Sequence, residues 1–516
     1  VPLGSAPEAG GQGAVLTPMT AKTRKRILLA VVLAANLLLW AIPSNVVELI
    51  ARDRHVILGR YSREHFVWIL VLLVASFIAL YIGLGSAARQ KRRAFQVIAL
   101  FVIGLPLLFL VDLALTVPPA LSHPVYIFDG LAYHRPPGSQ EIITFTDCPA
   151  AHRTYPNAPA DGGYGTVTCT FTVDSRGYRN RTDYQQCDVL VLGDSFVEGS
   201  RVSDDQTWEA LLADRTGLRI CSLGMSGYDP QHYLAALRKY GPELRPRLVI
   251  CMIYEGNDFR SAEWIDNPEE YKLPFGKIVQ YYIHNSRLLT AIDGLMCQTL
   301  GAINAHGPVR HGEIISWLPL RIDGEDGPTY YAFSSKRMAR HYVTPDKFRD
   351  GDDQRTTVRI LNEIRSRCRS LGAELLIMYA PDKPHVVLPL AADALPAEQV
   401  RAFAALRLHH LPDADAFVKN LLERLPSEEA VTREYCQAEG VAFLSTTEIL
   451  RESAGLGRQV YYTYDQHWTP LGHEAVARLA YNYLQSPLAK ALFERSPDAA
   501  TEPAVRPASA ALPAGE

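Results

Sequence analysis

Four short blocks of this 516-residue chain carry residue types suited to acyl transfer. The first, Gly193-Asp194-Ser195, lies in the stretch "VLVLGDSFVEGS". A serine displayed where a buried strand meets a helix N-terminus can act as a nucleophile, and its own N–H can face a developing oxyanion. Taken alone, Ser195 reads first as a helix cap and only second as a nucleophile. The second block, "SLGMSGYDP", puts Gly224 and Gly227 in a tight loop, where the Gly227 N–H offers a second oxyanion donor or the loop is a plain glycine turn. In the third, "YEGND", the Asn257 side-chain amide offers a third donor, against an ordinary Asn-Asp turn. The fourth, "YYTYDQHWTPLGH", supplies Asp465 and His467, an acid and an imidazole that can serve as orienter and general base. His473 competes for the base, but it falls inside a predicted helix and reads better as packing or capping.

These side chains need a scaffold. "DVLVLG" is a continuous apolar run, as expected of a strand covered on both faces. "LRICSLG", "RLVICMIY", "AELLIMYA" and "VAFLST" read as further strands. Helical patterns alternate with them: about Trp208 to Asp214, Pro230 to Tyr240 with proline in its first turn, "TTVRILNEIRSRCRSLG", and Pro470 to Leu484. The order implies an α/β fold with a doubly wound parallel sheet over 183–487, interrupted by two long insertions, 259–353 and 381–440. Such sheets bind ligands beyond the carboxyl ends of their strands. All four blocks fall at that edge, in the order nucleophile, donor, donor, acid–base. Tyr271, Tyr281, Tyr282, Trp317, Tyr330 and Tyr331 in the first insertion offer saccharide-stacking surfaces, or else pack the insertion itself.

Together, Gly193-Asp194-Ser195, Gly227, Gly256-Asn257-Asp258 and Asp465-Gln466-His467 resemble the four blocks of the SGNH (GDSL-type) hydrolases. The resemblance spans about Asp174 to Leu484 and extends to "DSRGYRN" at Asp174–Asn180, similar to the lead-in of membrane-associated bacterial members. It implies Ser195 as nucleophile, the Ser195 and Gly227 N–H groups and Asn257 as the oxyanion hole, His467 as base and Asp465 as its partner. Two features depart from the common pattern. A single residue, Gln466, separates acid from base, and that D-x-H-W spacing is similar to the alginate O-acetyltransferase (AlgX/AlgJ-like) branch. Ser222 stands where the second block usually carries Asn. The resemblance implies acyl transfer through an acyl-serine with no cofactor: an esterase or O-acetyltransferase acting on an extracytoplasmic polysaccharide, beside a membrane-bound O-acyltransferase partner. The alternatives are a non-catalytic subunit that keeps the fold and a lipid or small-ester hydrolase.

The first quarter of the chain is far more apolar than the rest. Runs at Ile27–Ile42, Phe66–Leu84 and Ala94–Val117 read as about three membrane helices in a 21–117 region. The first is short and follows a basic stretch, so a signal peptide competes, but no small-residue cleavage site is evident. Lys22, Arg24, Lys25 and Arg26 before the first run, and Arg89, Lys91, Arg92 and Arg93 between the second and third, favour a cytoplasmic N-terminus. Three crossings then place the catalytic domain outside the cytoplasm, in the periplasm of a multi-pass inner-membrane protein. Asp112, near the end of the third run, reads as an interfacial carboxylate reaching water, and Pro106 as a bend. Residues 1–20 and 488–516 read as disordered, and 118–182 as a linker with short strands. A formal net charge of -3 offers no footprint for nucleic acid. Of eight cysteines, Cys148 and Cys169 are the best candidate disulfide, while Cys187, Cys221 and Cys251 read as packed thiols. No spacing suggests a metal site, and adjacent His409 and His410 read as a surface pair.

Overall fold

A computed structural model describes residues 19–42, 56–57, 61–122, 126–147, 164–259, 317–391, 395–405, 407–494 and 506–507, with isolated positions at 265, 286, 288 and 291. Two compact units divide the chain: Val1–Asp53 with Arg60–Val111, and Arg54–Gly59 with Asp112–Glu516.

In the first unit, the helix Ala21–Ala41 packs on the helix Arg63–Gly83. Their contact includes polar links: Asn36 Nδ2 donates to Ser76 Oγ at 2.8 Å, and His65 Nε2 to the Leu39 carbonyl at 2.8 Å. Two helical stretches, His65–Gly83 and Ala87–Leu115, are long and apolar enough to cross a membrane, and few of their side chains are buried. The helix Ala21–Ala41 carries Lys22, Arg24, Lys25 and Arg26 at its start and is not among them. A π-helical turn, Leu100–Gly104, precedes Pro106, so the proline is met by a local widening of the helix.

In the second unit, five strands form one parallel sheet: β1 (Val189–Leu192), β2 (Ile220–Ser222), β3 (Leu248–Tyr254), β4 (Glu374–Ala380) and β5 (Ala442–Ser445). Their order is β5-β4-β3-β1-β2, so the chain reverses direction across the sheet at β1 and β3. Every residue of β1 and β3 is buried because alternate side chains enter two separate cores. Val189, Val191, Ile250, Met252 and Met378 pack under the helices Trp208–Thr216 and Pro470–Leu484. Leu190, Leu192, Cys251, Ile253 and Ile377 pack under Pro230–Leu244 and Asp352–Ser370. A strand covered on both faces has no need of polar alternation, which is why these runs are continuously apolar.

Residues 118–182, read as a linker with short strands, do carry strands, in the antiparallel hairpins Ile127–Asp129 with Ala132–His134 and Gln140–Asp147 with Gly165–Thr172. Other expectations need correction. The segment 488–516 begins in a helix, Pro487–Glu494, whose Ala489 is buried. Both insertions carry regular structure, the hairpin Trp317–Gly324 with Gly327–Ser334 in the first and the helices Ala397–Ala404, Ala414–Arg424 and Ser427–Glu439 in the second. Tyr331 is core and Tyr330 half-buried, whereas Tyr271, Tyr281 and Tyr282 lie outside the described residues. Asp112 does not reach water: it is buried and accepts from Ser286 Oγ at 2.6 Å and the Leu288 N–H at 2.9 Å. Cys187, Cys221 and Cys251 are buried free thiols, and Cys148, the candidate partner of Cys169, lies outside the described residues.

Candidate active site

At the end of β1 the backbone turns sharply. Asp194 caps the four-residue helix Ser195–Glu198, its carboxylate accepting the Phe196 N–H at 2.9 Å while its carbonyl accepts from Val197 and Glu198. The Ser195 N–H, first in that turn, has no partner within the helix, as is general for helix starts. Gly193 is required by packing: a Cβ there would lie 2.3 Å from Val197 Cγ2. Gly199, in the left-handed region at φ 70°, ends the helix. The cap expected for this turn is thus Asp194, which leaves the Ser195 hydroxyl available.

Ser195 Oγ lies 2.7 Å from His467 Nε2. The opposite ring nitrogen, Nδ1, faces Asp465 Oδ1, and the same oxygen accepts the His467 backbone N–H at 2.9 Å. One intervening residue suffices for this pairing because the acid reaches forward over a turn to both the N–H and the ring of the histidine. Burial works to raise the Asp465 carboxyl, but the His467 ring, its two N–H groups and Arg201 outweigh it and hold the acid well below the usual range. Nδ1 must carry the proton to satisfy a carboxylate, so Nε2 is left as acceptor for the serine hydroxyl. His473 is elsewhere in role: its Nδ1 accepts the Trp208 N–H at 3.2 Å, and burial, with the charges of Arg179 and His467, pushes it down to about 3.

The other two blocks converge on the same edge. Gly227 has φ 83°, and a Cβ on it would meet the Tyr133 hydroxyl at 2.9 Å. That hydroxyl donates to the Ser226 carbonyl at 2.9 Å, so the first hairpin of the supposed linker braces the loop. Asn257 donates an Nδ2 hydrogen to the Tyr228 carbonyl at 3.2 Å and lies beside the Asp194 carboxyl. Burial pushes Asp194 up to about 6 against the Phe196 N–H, His467 and Asn257. Asp258, given no role from sequence, is fully buried, accepting the Tyr254 N–H at 2.8 Å and the Tyr233 hydroxyl at 3.0 Å. Burial and the nearby Asp194 charge raise it well above the carboxylate range.

Sequence reading missed the side chains that hold these loops. Glu198 is fully buried, pairs with Arg135 Nε at 2.8 Å and accepts the Ser226 N–H at 3.1 Å, linking the serine helix to the Gly227 loop. In the "DSRGYRN" lead-in, Asn180 bonds both the N–H (2.8 Å) and the carbonyl (3.0 Å) of Ser222. Arg179 wraps the next loop through the carbonyls of Gly199 (2.6 Å) and Val202 (2.7 Å). Ser222, standing where Asn is usual, uses its hydroxyl to accept the Gly224 N–H at 3.2 Å. Behind β3 and β4 lies a buried ionic cluster: His385 donates to Glu255 at 3.1 Å, and Arg337 Nη1 to Asp382 at 2.6 Å. Arg337 also reaches Gln466, and its neighbour Arg340 reaches the Gly256 carbonyl, so the first insertion touches both the histidine loop and the Asn257 turn. The one local signal was Glu198 itself, an acid placed directly after the apolar pair Phe196-Val197.

No protein-family model matches the sequence, and no curated protein matches it either. Solved structures do match. An extracellular lipase from Streptomyces rimosus shares 14% identity and a TM-score of 0.28, over 58% of this chain and 100% of the lipase. A GDSL-like lipase from Bacteroides thetaiotaomicron shares 10% identity and a TM-score of 0.25, over 58% of this chain and 87% of that one. For a lipase/acylhydrolase from Enterococcus faecalis the values are 9% and 0.24, over 57% and 94%.

Proposed function

We infer that this protein is a membrane-anchored serine acyl-ester enzyme of the SGNH type, working through an acyl-serine. The observation that carries the reading is the Ser195–His467 contact of 2.7 Å with Asp465 on the far side of the ring. Ser195 Oγ attacks the ester carbonyl as its proton passes to His467 Nε2; the C–O bond to the leaving alcohol then breaks, and the imidazolium returns that proton to the alcohol. In this reading the Ser195 and Gly227 N–H groups and the Asn257 amide serve as oxyanion donors, each such donor being worth about 100- to 1000-fold in rate. Water or a sugar hydroxyl, deprotonated by the same His467, takes the acyl group from the serine. Two exposed apolar helices support a membrane anchor, since the core helix of a globular domain would be buried.

Within that class, the reading is O-acetyl transfer to or from an extracytoplasmic polysaccharide, with a membrane-bound O-acyltransferase as supplier of the acyl group. The D-x-H-W spacing and the basic residues flanking the N-terminal helices support it. The full chain in detergent is given an acetyl ester with and without an oligosaccharide acceptor, and products are followed by mass spectrometry. Acetylated sugar is the expected product; acetate alone, in both arms, identifies an esterase. Ser195→Ala is expected to abolish turnover and labelling by a fluorophosphonate. A folded Ser195→Ala variant that retains turnover overturns the acyl-serine reading, and a folded wild type with neither turnover nor labelling leaves a binding subunit.

A further inference from the structure

The loop Tyr462–Asp465 delivers the acid and, two residues on, the histidine, yet it belongs to no strand or helix and must be held by its backbone groups. Two buried charged side chains take hold of it. From one side, the Asp147 carboxylate accepts three consecutive N–H groups: Thr463 at 2.7 Å, Tyr464 at 3.0 Å and Asp465 at 3.2 Å. From the other, Lys383 Nζ donates to three carbonyls: Tyr462 at 3.0 Å, Thr463 at 2.7 Å and Asp465 at 2.9 Å. Asp147 is 3% exposed and Lys383 1%. Neither touches Ser195 or His467, and each comes from a segment outside the four blocks: Asp147 closes a hairpin strand and Lys383 opens a short helix after β4.

Burying a lysine is costly unless its donors are used. Here all three ammonium hydrogens meet carbonyls of one loop. A salt bridge alone would not need that arrangement; fixing the path of a backbone would. We propose that Asp147 and Lys383 are positioning residues for the acid–base pair, a two-sided clamp that sets where Asp465 and His467 stand relative to Ser195. The proposal rests on the acyl-serine reading above. Three carbonyls require three N–H donors, which only the ammonium form supplies; a neutral amine has two. Burial draws Lys383 down to about 7, with Asp147, Asp465 and Asp382 working to keep it charged and Arg337 working against it. The clamp therefore loosens on the alkaline side, while a displacement of about 1 Å at a catalytic group costs on the order of 100-fold.

The test uses full-length Lys383→Met and Asp147→Asn beside wild type and Ser195→Ala, with steady-state hydrolysis of a p-nitrophenyl acetyl ester across pH. Expected for both clamp variants is a kcat lower by about 10- to 100-fold with KM within about threefold, the pattern of misplaced catalytic groups. Wild type shows an alkaline fall in kcat that Lys383→Met lacks; a residue that only stabilises the fold would not remove that limb. Folded variants with kcat within about twofold of wild type and the alkaline limb intact overturn the clamp. If Ser195→Ala is inactive while the clamp variants are normal, only the clamp fails; if Ser195→Ala is active, the acyl-serine reading fails. Should the clamp variants not fold, amide hydrogen exchange on wild type decides: the 462–467 peptide is expected to exchange as slowly as β3, and loop-like fast exchange refutes the clamp.

Discussion

Replacing Asp465 by Asn separates two things the carboxylate does, and the geometry sets the outcome. Asp465 Oδ1 receives both the His467 ring Nδ1 and the His467 backbone N–H. The backbone N–H can only donate, so in Asp465→Asn it holds the amide oxygen at the Oδ1 position. That oxygen still accepts from Nδ1–H, and the useful tautomer survives. The amide nitrogen is then turned toward Arg201 Nε, which in the native protein stands 3.7 Å from Oδ2, and it makes no new bond there. On the acyl-serine reading, what the variant loses is negative charge beside the imidazolium that forms as Ser195 gives up its proton. At an effective dielectric of about 20, a charge pair about 4 Å apart is worth about 4 kcal/mol, and rate changes tenfold per about 1.4 kcal/mol. Asp465→Asn is thus expected to lower kcat by about 100- to 1000-fold. Asp465→Ala, which also removes the acceptor, is expected to lose about 10⁴-fold. The assay is ester hydrolysis by purified protein across pH 4–9, with fluorophosphonate labelling to count active serines. Equal losses in the two variants would refute the backbone-selected tautomer. A loss below about tenfold in Asp465→Asn would refute the electrostatic role.

Other substitutions test the supports. Gly227→Ala forces a side chain into the left-handed region against the Tyr133 hydroxyl; a loss of about 1–2 kcal/mol in unfolding free energy and a fall in kcat are expected, read by denaturant melts and turnover. Glu198→Ala takes from buried Arg135 the nearer of its two carboxylates, leaving Glu141 at 3.7 Å, and frees the Ser226 N–H, so a loss of about 2–4 kcal/mol of stability is expected, visible as a lowered melting temperature. His473→Gln is expected to lower the melting temperature while leaving kcat of the folded protein within about twofold, because His473 serves the Trp208 N–H and not the serine. Because Lys383 is drawn down to about 7 in the folded chain, the unfolded chain binds the extra proton between about pH 7 and the ordinary lysine range. The Lys383 contribution to stability therefore rises with pH across that window. The difference in melting temperature between wild type and Lys383→Met should shift in favour of wild type as pH rises, although turnover falls over the same range.

The amino-acid sequence by itself determined the sheet and the order in which the four blocks reach its edge. Continuous apolar runs have no alternative to burial on both faces, and the alternation of strand and helix leaves parallel winding as the short-connection solution. Asp194, Thr207 and Thr469 cap the helices that follow them, a contact made within two or three residues of chain. Tertiary structure decided which polar groups meet. Ser195 and His467 are 272 positions apart and come together only because β1 and the final loop end on one edge. Asp147 meets the Tyr464 N–H across 317 positions, and Arg135 meets Glu198 across 63, from a segment whose composition reads as a linker. Nothing periodic announces such partners. A backbone N–H accepts help from any carboxylate that arrives and a carbonyl from any ammonium, so residue type alone does not say which Asp or Lys arrives. Hydropathy and turn chemistry act over a few residues; the choice of clamp and brace is made by loops that approach only after the cores on both faces of the sheet have closed.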